Sequence, residues 1–286
     1  MNRKKYSPSI NIFKYLTFSI LAAFYCACSS AQNLESKVEP SKSFGINAKV
    51  NFADVDNLGR IYIVDEKNKL INYRPDLTEQ YRYANTKSGL ISSVDITNPL
   101  KIVAFYDDFN HVKILDNTLT IINEINLGDK FIDISACSTS NDGQLWVYDS
   151  TQFKLMKINE NGQVLLETSN VNDIGMWDVN ISMIKEKSNI VMLVDKSKGF
   201  YFFDNLGQYI FHFGVKDVGS TQFDGTNVIY YTSSGLNVYN IMTKENQSVE
   251  IPIEIQTKGL KYILYQSGNY YEVNQDGINV VKLVRD

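Results

Sequence analysis

Histidine is nearly absent from this 286-residue chain, which holds only His111 and His212. A histidine-built zinc site or a histidine-dependent triad therefore has little to draw on. Three cysteines, Cys26, Cys28 and Cys137, do not make a disulfide framework. There is no G-x-S-x-G elbow, no P-loop, no G-x-G-x-x-G and no C-x-x-C, so the sequence marks of several common nucleophile, phosphate and redox sites are missing. Runs of single-sign charge and basic patches are also lacking, which argues against a nucleic-acid partner. After the first residues no stretch keeps a 3.6-residue apolar period over three turns, against a parallel α/β sheet. Proline is scarce, at five residues, while aromatics reach 12% with 18 Tyr and 15 Phe, a mix suited to pleated, half-buried surfaces.

The one long apolar run, "YLTFSILAAFY", is eleven residues and too short to cross a bilayer as a helix. Arg3, Lys4, Lys5 and Lys14 precede it, as in a secretory signal. "CACSS" follows, and it resembles the lipobox of bacterial lipoproteins: Ala27–Cys28 supplies the small residue and the cysteine at the scissile bond, with Tyr25 where leucine is usual. The resemblance implies a signal peptide over residues 1–27, cleavage before Cys28, lipidation of Cys28 and a bacterial envelope location on a membrane; the alternative is an ordinary cleaved signal or a short anchor. Loss of the signal leaves 24 Lys plus Arg against 32 Asp plus Glu, a net charge of −8. Residues 28–44 are polar and read as a tether. Acidic residues do not cluster directly after Cys28, which favours a periplasm-facing protein over surface display.

Residues 45–286 contain a repeat. "GRIYIVDEKNKLINY", "LKIVAFYDDFNHVKIL", "GQLWVYDSTQFKLMKI", "NIVMLVDKSKGFYFF", "NVIYYTSSGLNVY" and "GNYYEVNQDGINVVKL" each pair two β-rich runs across a turn. The turns open at Asp65, Asp107, Asp149, Asp195, Thr232 and Asn274, separated by 42, 42, 46, 37 and 42 residues. Asp, Asn and Thr suit that place because their side chains accept from backbone amides two residues on. A further strand precedes and another follows each pair, giving four short strands per repeat of about forty residues, the mark of a β-propeller blade. The expected fold is all-β: a six-bladed β-propeller with four-stranded blades. The last repeat stops at its third strand, so a segment within 34–48 is expected to supply the fourth and close the ring. The G–R–I–Y–I–V–D and L–I–N–Y runs resemble six-bladed propellers of the NHL-repeat type over about 240 residues.

Asp54, Asp95, Asp133 and Asp178 lie in the segments expected to form the innermost strands, with Asp224 placed more loosely. Two readings stay open. Converging carboxylates could hold Ca²⁺, which takes six to eight oxygen ligands, or a cationic ligand; alternatively each carboxylate accepts backbone amides and is structural. Propeller lactonases of the gluconolactonase type take Glu, Asn and Asp ligands from different blades, but their Glu–Gly–Pro motif is missing here, and Asn98, Asn180 and Asn227 sit at unequal offsets. "NVNDIGMWDVN" (170–180) is the longest irregular connection, and its Met176 and Trp177 are candidates for ligand binding; the other reading has Trp177 covering the channel or packing between blades as core. Cys137 is expected to be a buried, inert thiol. The functional expectation is a non-enzymatic envelope scaffold that offers a rim to a protein, peptide or glycan. The alternative is a metal-assisted hydrolase or lyase using channel-lining Asp residues.

Overall fold

The computed structural model describes residues 42–45, 49–85, 87–251 and 259–282. Cys28 and the apolar run before it lie outside the described residues. After β1 (Lys42–Gly45), blade one is built from β2 (Val50–Val55), β3 (Ile61–Asp65), β4 (Lys69–Tyr73) and β5 (Glu79–Ala84). Blade two comprises β6 (Ser93–Asn98), β7 (Lys101–Tyr106), β8 (His111–Leu115) and β9 (Ile121–Asn126). Blade three has β10 (Ile134–Thr139), β11 (Leu145–Asp149), β12 (Lys154–Ile158) and β13 (Val164–Glu167). Blade four has β14 (Ile181–Lys187), β15 (Ile190–Asp195), β16 (Gly199–Asp204) and β17 (Tyr209–Gly214). Blade five is β18 (Ser220–Phe223), β19 (Asn227–Thr232), β20 (Gly235–Asn240) and β21 (Asn246–Val249). The last three strands are β22 (Leu260–Gln266), β23 (Asn269–Asn274) and β24 (Gly277–Lys282). Each of the six sheets has four antiparallel strands, and the described helix amounts to two short 3-10 turns, Asp107–Phe109 and Val171–Ile174.

Why one blade is never enough can be read from the second strands. In β3 and β11 every residue is buried, on both faces of the sheet. Successive side chains of a strand point to opposite faces, and here each face feeds a different core. Val103 and Phe105 of β7 pack with Val147 and Met156 of blade three, whereas Ile102, Ala104 and Tyr106 pack with Tyr62 and Leu70 of blade one. Core clusters of this kind join every neighbouring pair of blades, and the pair formed by the last and first blades has one too, with Ile61 and Ile63 against Tyr271 and Val273. A linear stack would leave that last seam open. The ring is therefore closed by packing as well as by hydrogen bonds: β1 pairs antiparallel with β24, from Lys42↔Val280 to Gly45↔Gly277, and completes the sixth sheet. This is the closure expected for the 34–48 segment.

The turns follow from side-chain chemistry. Asp65 Oδ1 accepts from the N–H groups of Lys67 and Lys69, Asp149 Oδ1 from Thr151 and Gln152, and Asp195 Oδ1 from Ser197 and Lys198. The next residues of these turns enter left-handed backbone, and at Gly199 (φ +106°) a Cβ would lie 2.3 Å from the Phe213 carbonyl oxygen, so only glycine fits. Asn68 and Asn110, also left-handed, turn the position to further use. Asn110 donates to the Ile132 carbonyl and accepts from Ile134 N–H (both 3.0 Å), pinning the connection into blade three.

Candidate functional site

The first strands face the axis, and β2, β6, β10 and β14 meet one another there. Each of these strands runs toward the end of the ring that carries the turns between first and second strands. At that end a cavity of about 230 Å³ opens, bounded by the last residues of β2, β6, β14, β18 and β22.

Its floor is a three-membered ionic cluster. Lys185 Nζ of β14 lies 3.0 Å from Asp95 Oδ1 of β6 and 3.3 Å from Asp54 Oδ2 of β2, with all three side chains nearly buried. Blade four is thereby tied across the axis to blades one and two. The two carboxylates differ in support. Asp95 Oδ2 accepts from the N–H and hydroxyl of Thr139 (2.8 and 2.6 Å), and its Oδ1 from the N–H and hydroxyl of Thr97 (3.2 and 2.6 Å). Asp54 Oδ1 accepts from the Val55 N–H at 2.8 Å. Burial raises both carboxyls; at Asp95 the Lys185 charge and the threonine donors outweigh it and hold the carboxyl below its ordinary value. At Asp54 burial wins over Lys185, and the carboxyl is held above it. Burial disfavours the Lys185 ammonium, but the two carboxylates more than offset this and hold it well above its ordinary range.

Around the cluster the neighbouring acidic groups are committed elsewhere. Asp56, next to Asp54, accepts from Leu58 and Arg60 N–H groups and pairs with the Arg60 guanidinium at 2.7 Å. Asp224 accepts from the N–H groups of Thr226 and Asn227. Glu186 faces the other way from Lys185 and accepts from Trp146 Nε1, the Ser140 hydroxyl (both 2.6 Å) and Asn141 N–H, joining blades three and four. Tyr262 of β22 donates to the Ala53 carbonyl and accepts from Ala53 N–H, holding the last blade to the first at the axis.

Asp54 and Asp95 are thus brought together, but Asp133 and Asp178 are not. Both precede their strands, on connections at the opposite end of the ring: Asp133 accepts from the Ser150 hydroxyl, and Asp178 is solvent-exposed, 3.7 Å from Lys198 Nζ. Among the described residues no group of three or more His, Cys, Asp or Glu could hold a metal ion. The cation between Asp54 and Asp95 is a lysine ammonium. Asn98 ends β6 and Asn227 opens β19, each bonded to the adjoining turn, and Asn180 donates its N–H to Asp195. Trp177 stands exposed on the 170–180 connection, its backbone carbonyl held by Lys198 Nζ at 2.6 Å. Met176 instead packs beneath it, in the core with Trp146, Tyr148 and Val171. Cys137 is buried, which pushes its thiol up and keeps it protonated.

Lys185, Thr139 and Glu186 were not legible from the carboxylate pattern. Counting back from the turn-opening residue would have found the lysine: Asp54 and Asp95 stand eleven and twelve residues before Asp65 and Asp107, and Lys185 ten before Asp195. Asp133 and Asp178 stand sixteen and seventeen residues before theirs, beyond the reach of a six-residue strand and its turn.

No protein-family model matches the chain, and no curated protein does. Among solved structures it is similar to virginiamycin B lyase from Staphylococcus aureus, with a TM-score of 0.58 at 13% identity, covering 86% of this chain and 100% of that one. A catalytically inactive histidine-to-alanine form of that lyase, solved with quinupristin, gives a TM-score of 0.57 at 11% identity over 87% and 100% of the two chains. The WD40 domain of Neurospora crassa Pan2 gives 0.54 at 13% identity over 84% and 80%. At these identities the likeness is one of fold, the propeller.

Proposed function

We propose that this protein is a non-enzymatic binding scaffold, held in a bacterial envelope by a lipid on Cys28 and offering one rim of its propeller to a protein, peptide or glycan. The observation that carries the reading is a set of exposed apolar side chains, two of them aromatic, at the end opposite the cavity; the cavity end also exposes Leu58, Leu100, Leu206 and Met242, but among the described residues the exposed Phe109 and Trp177 both belong to the opposite end. Leu90, Phe109, Ile132 and Trp177, on the connections and turns of blades one to four, each expose more than half of their surface, up to 81% at Ile132. Exposed aromatics in such a setting serve as anchors. The pinned carbonyl of Trp177 fixes the base from which its ring projects.

The cluster at the axis supports the same reading. Its acidic and basic groups are bonded to one another rather than arranged around a nucleophile, and both histidines stand outside the cavity lining, on β8 and β17. One solved neighbour is described as a lyase that is inactive when a histidine is replaced; this chain offers no histidine at its channel mouth. The test is affinity capture from the native envelope, comparing the wild type with a Trp177→Ala/Ile132→Ser variant. Loss of a captured partner by the variant, with its melting unchanged, supports the rim; identical capture by both overturns it.

A further inference from the structure

We propose that the cavity at the axis binds a ligand through a primary ammonium group carried on a short apolar stem. The site lies at the other end of the ring from the exposed rim and does not depend on it. The charge count at the cavity floor comes first: two carboxylates, Asp54 and Asp95, face one ammonium, Lys185. A buried carboxylate without a full set of partners is costly, and each can accept about four hydrogen bonds. Asp95 meets that number with its threonine and lysine donors. Asp54 has one backbone N–H and a long 3.3 Å contact with Lys185, and it lines the cavity. It is the acceptor left with capacity at the bottom of an open space.

The walls define what accompanies the cation. Ile96, Phe223, Ile229 and Tyr265 line the cavity among polar residues such as Thr97 and Gln222, so an alkyl stem meets apolar surface that includes two aromatic side chains, a setting favourable to a cation and its stem. Asp56 and Asp224 also line it, but both are bonded into their own turns, so they do not compete with Asp54 as a deep anchor. Lys187 lines the cavity two residues beyond Lys185, on the same side of β14 and nearer the strand end. Its charge offsets that of the Asp224 carboxylate at the same mouth, so a second cation at the outer end of the ligand gains no net attraction, and a monocation or a zwitterion is preferred to a diamine. A bound ammonium would offset by its charge the burial that opposes ionisation of Asp54, as Lys185 does in part.

The same chemistry is offered by a free amine or by the lysine side chain of a peptide, and the experiment separates them. n-Butylammonium, n-butanol, 1,4-diammoniobutane and a capped lysine dipeptide are titrated into the purified full chain at pH 8 by calorimetry, with melting curves alongside. The expected result is one saturable site for n-butylammonium, at least tenfold weaker binding of n-butanol, weaker binding of the dication, and at least tenfold loss in Asp54→Asn. Competition by the lysine dipeptide at equal or higher affinity assigns a peptide side chain; its failure to compete assigns a free amine. Gln266→Trp, which fills the cavity from its edge without touching the cluster, should abolish binding even where Asp54→Asn does not fold. Butanol binding as well as butylammonium, unaltered binding by either variant, or no saturable binding at all would overturn the proposal.

Discussion

Replacing Lys185 by Met keeps the volume of the side chain and removes the one cation between Asp54 and Asp95. Two carboxylates buried in the same pocket then face each other without compensation, and at neutral pH one of them must take up a proton or draw in water. Removing one partner of a buried pair costs roughly 3–5 kcal/mol. For a domain of this size each kcal/mol moves the melting temperature by about 2–4 °C, so a fall of about 6–20 °C is expected by calorimetry or circular dichroism at pH 7. The two aspartates should respond unequally. Asp95→Asn removes the carboxylate that four threonine donors and Lys185 support and should cost about 3 kcal/mol; Asp54→Asn removes the excess charge and should leave stability at or above that of the wild type. The pH dependence follows the same asymmetry. The carboxyl of Asp95 sits below its ordinary 3.8 when folded, so the stability it contributes is present above that value and lost as the pH falls through the lower folded one. Asp54 sits above 3.8, so its contribution is greatest while protonated and is lost as the pH rises through the raised folded value. The gain from Asp54→Asn should therefore vanish in acid. A triple variant, Lys185→Met/Asp54→Asn/Asp95→Asn, should recover at least half of the single lysine loss, since neutralising the whole cluster leaves no orphan charge. Lys185→Met melting within about 2 °C of the wild type, or Asp54→Asn proving more harmful than Asp95→Asn, would refute this account.

Deleting residues 34–48 removes β1 and leaves β24 as an unpaired edge at the seam between the last and first blades; a loss of several kcal/mol, on the order of 3–6, is expected in denaturant melts. Glu186→Ala strands the Trp146 indole N–H and the Ser140 hydroxyl, and a loss of about 3 kcal/mol should be accompanied by a changed Trp146 emission in a Trp177→Phe background. Gly199→Ala puts a methyl group against the Phe213 carbonyl and should destabilise by about 3 kcal/mol or more, measured by the same melts. Cys28→Ala should leave the propeller folded and move it from membrane to soluble fractions; a variant that stays membrane-bound would remove the lipid anchor from the proposal.

The propeller was legible because its cause is periodic. Strands such as "IYIVD" are apolar on both faces, and a sequence that repeats such strands about every forty residues has to cover both faces with copies of itself. The turn-opening Asp65, Asp149 and Asp195 marked the count, and the missing outer strand of the last repeat pointed to the closing segment. The axis was less legible because there the repeat gives way to difference. Asp54 and Asp95 share a local pattern with Asp133 and Asp178, an acidic residue between apolar neighbours, yet β10 begins at Ile134 and β14 at Ile181, after the matching aspartates. Blade four contributes a lysine at the comparable depth, where the repeat position held aspartate in blades one and two, so a search for a recurring carboxylate passes over it. Met176 and Trp177 show the same limit on a smaller scale. Adjacent residues on an irregular connection point to opposite environments, one into the core and one to solvent, and composition does not distinguish them.

The cluster also explains how a ring of nearest-neighbour contacts gains a bond across its centre. Every apolar core joins a blade to the one beside it, so packing alone would transmit strain only around the circumference. Lys185 reaches from blade four to blades one and two, and Thr139 of blade three is tied to the same Asp95. Four blades are therefore held at one point on the axis, while the Tyr262 hydroxyl joins the last blade to the first through Ala53. An ion with six or more oxygen ligands could hold an axis in the same way, but a lysine needs only two carboxylates and brings its charge covalently. The fold thus gathers a buried ionic cluster at the axis, where four blades meet, and adds a bond across the ring to the apolar seams around it.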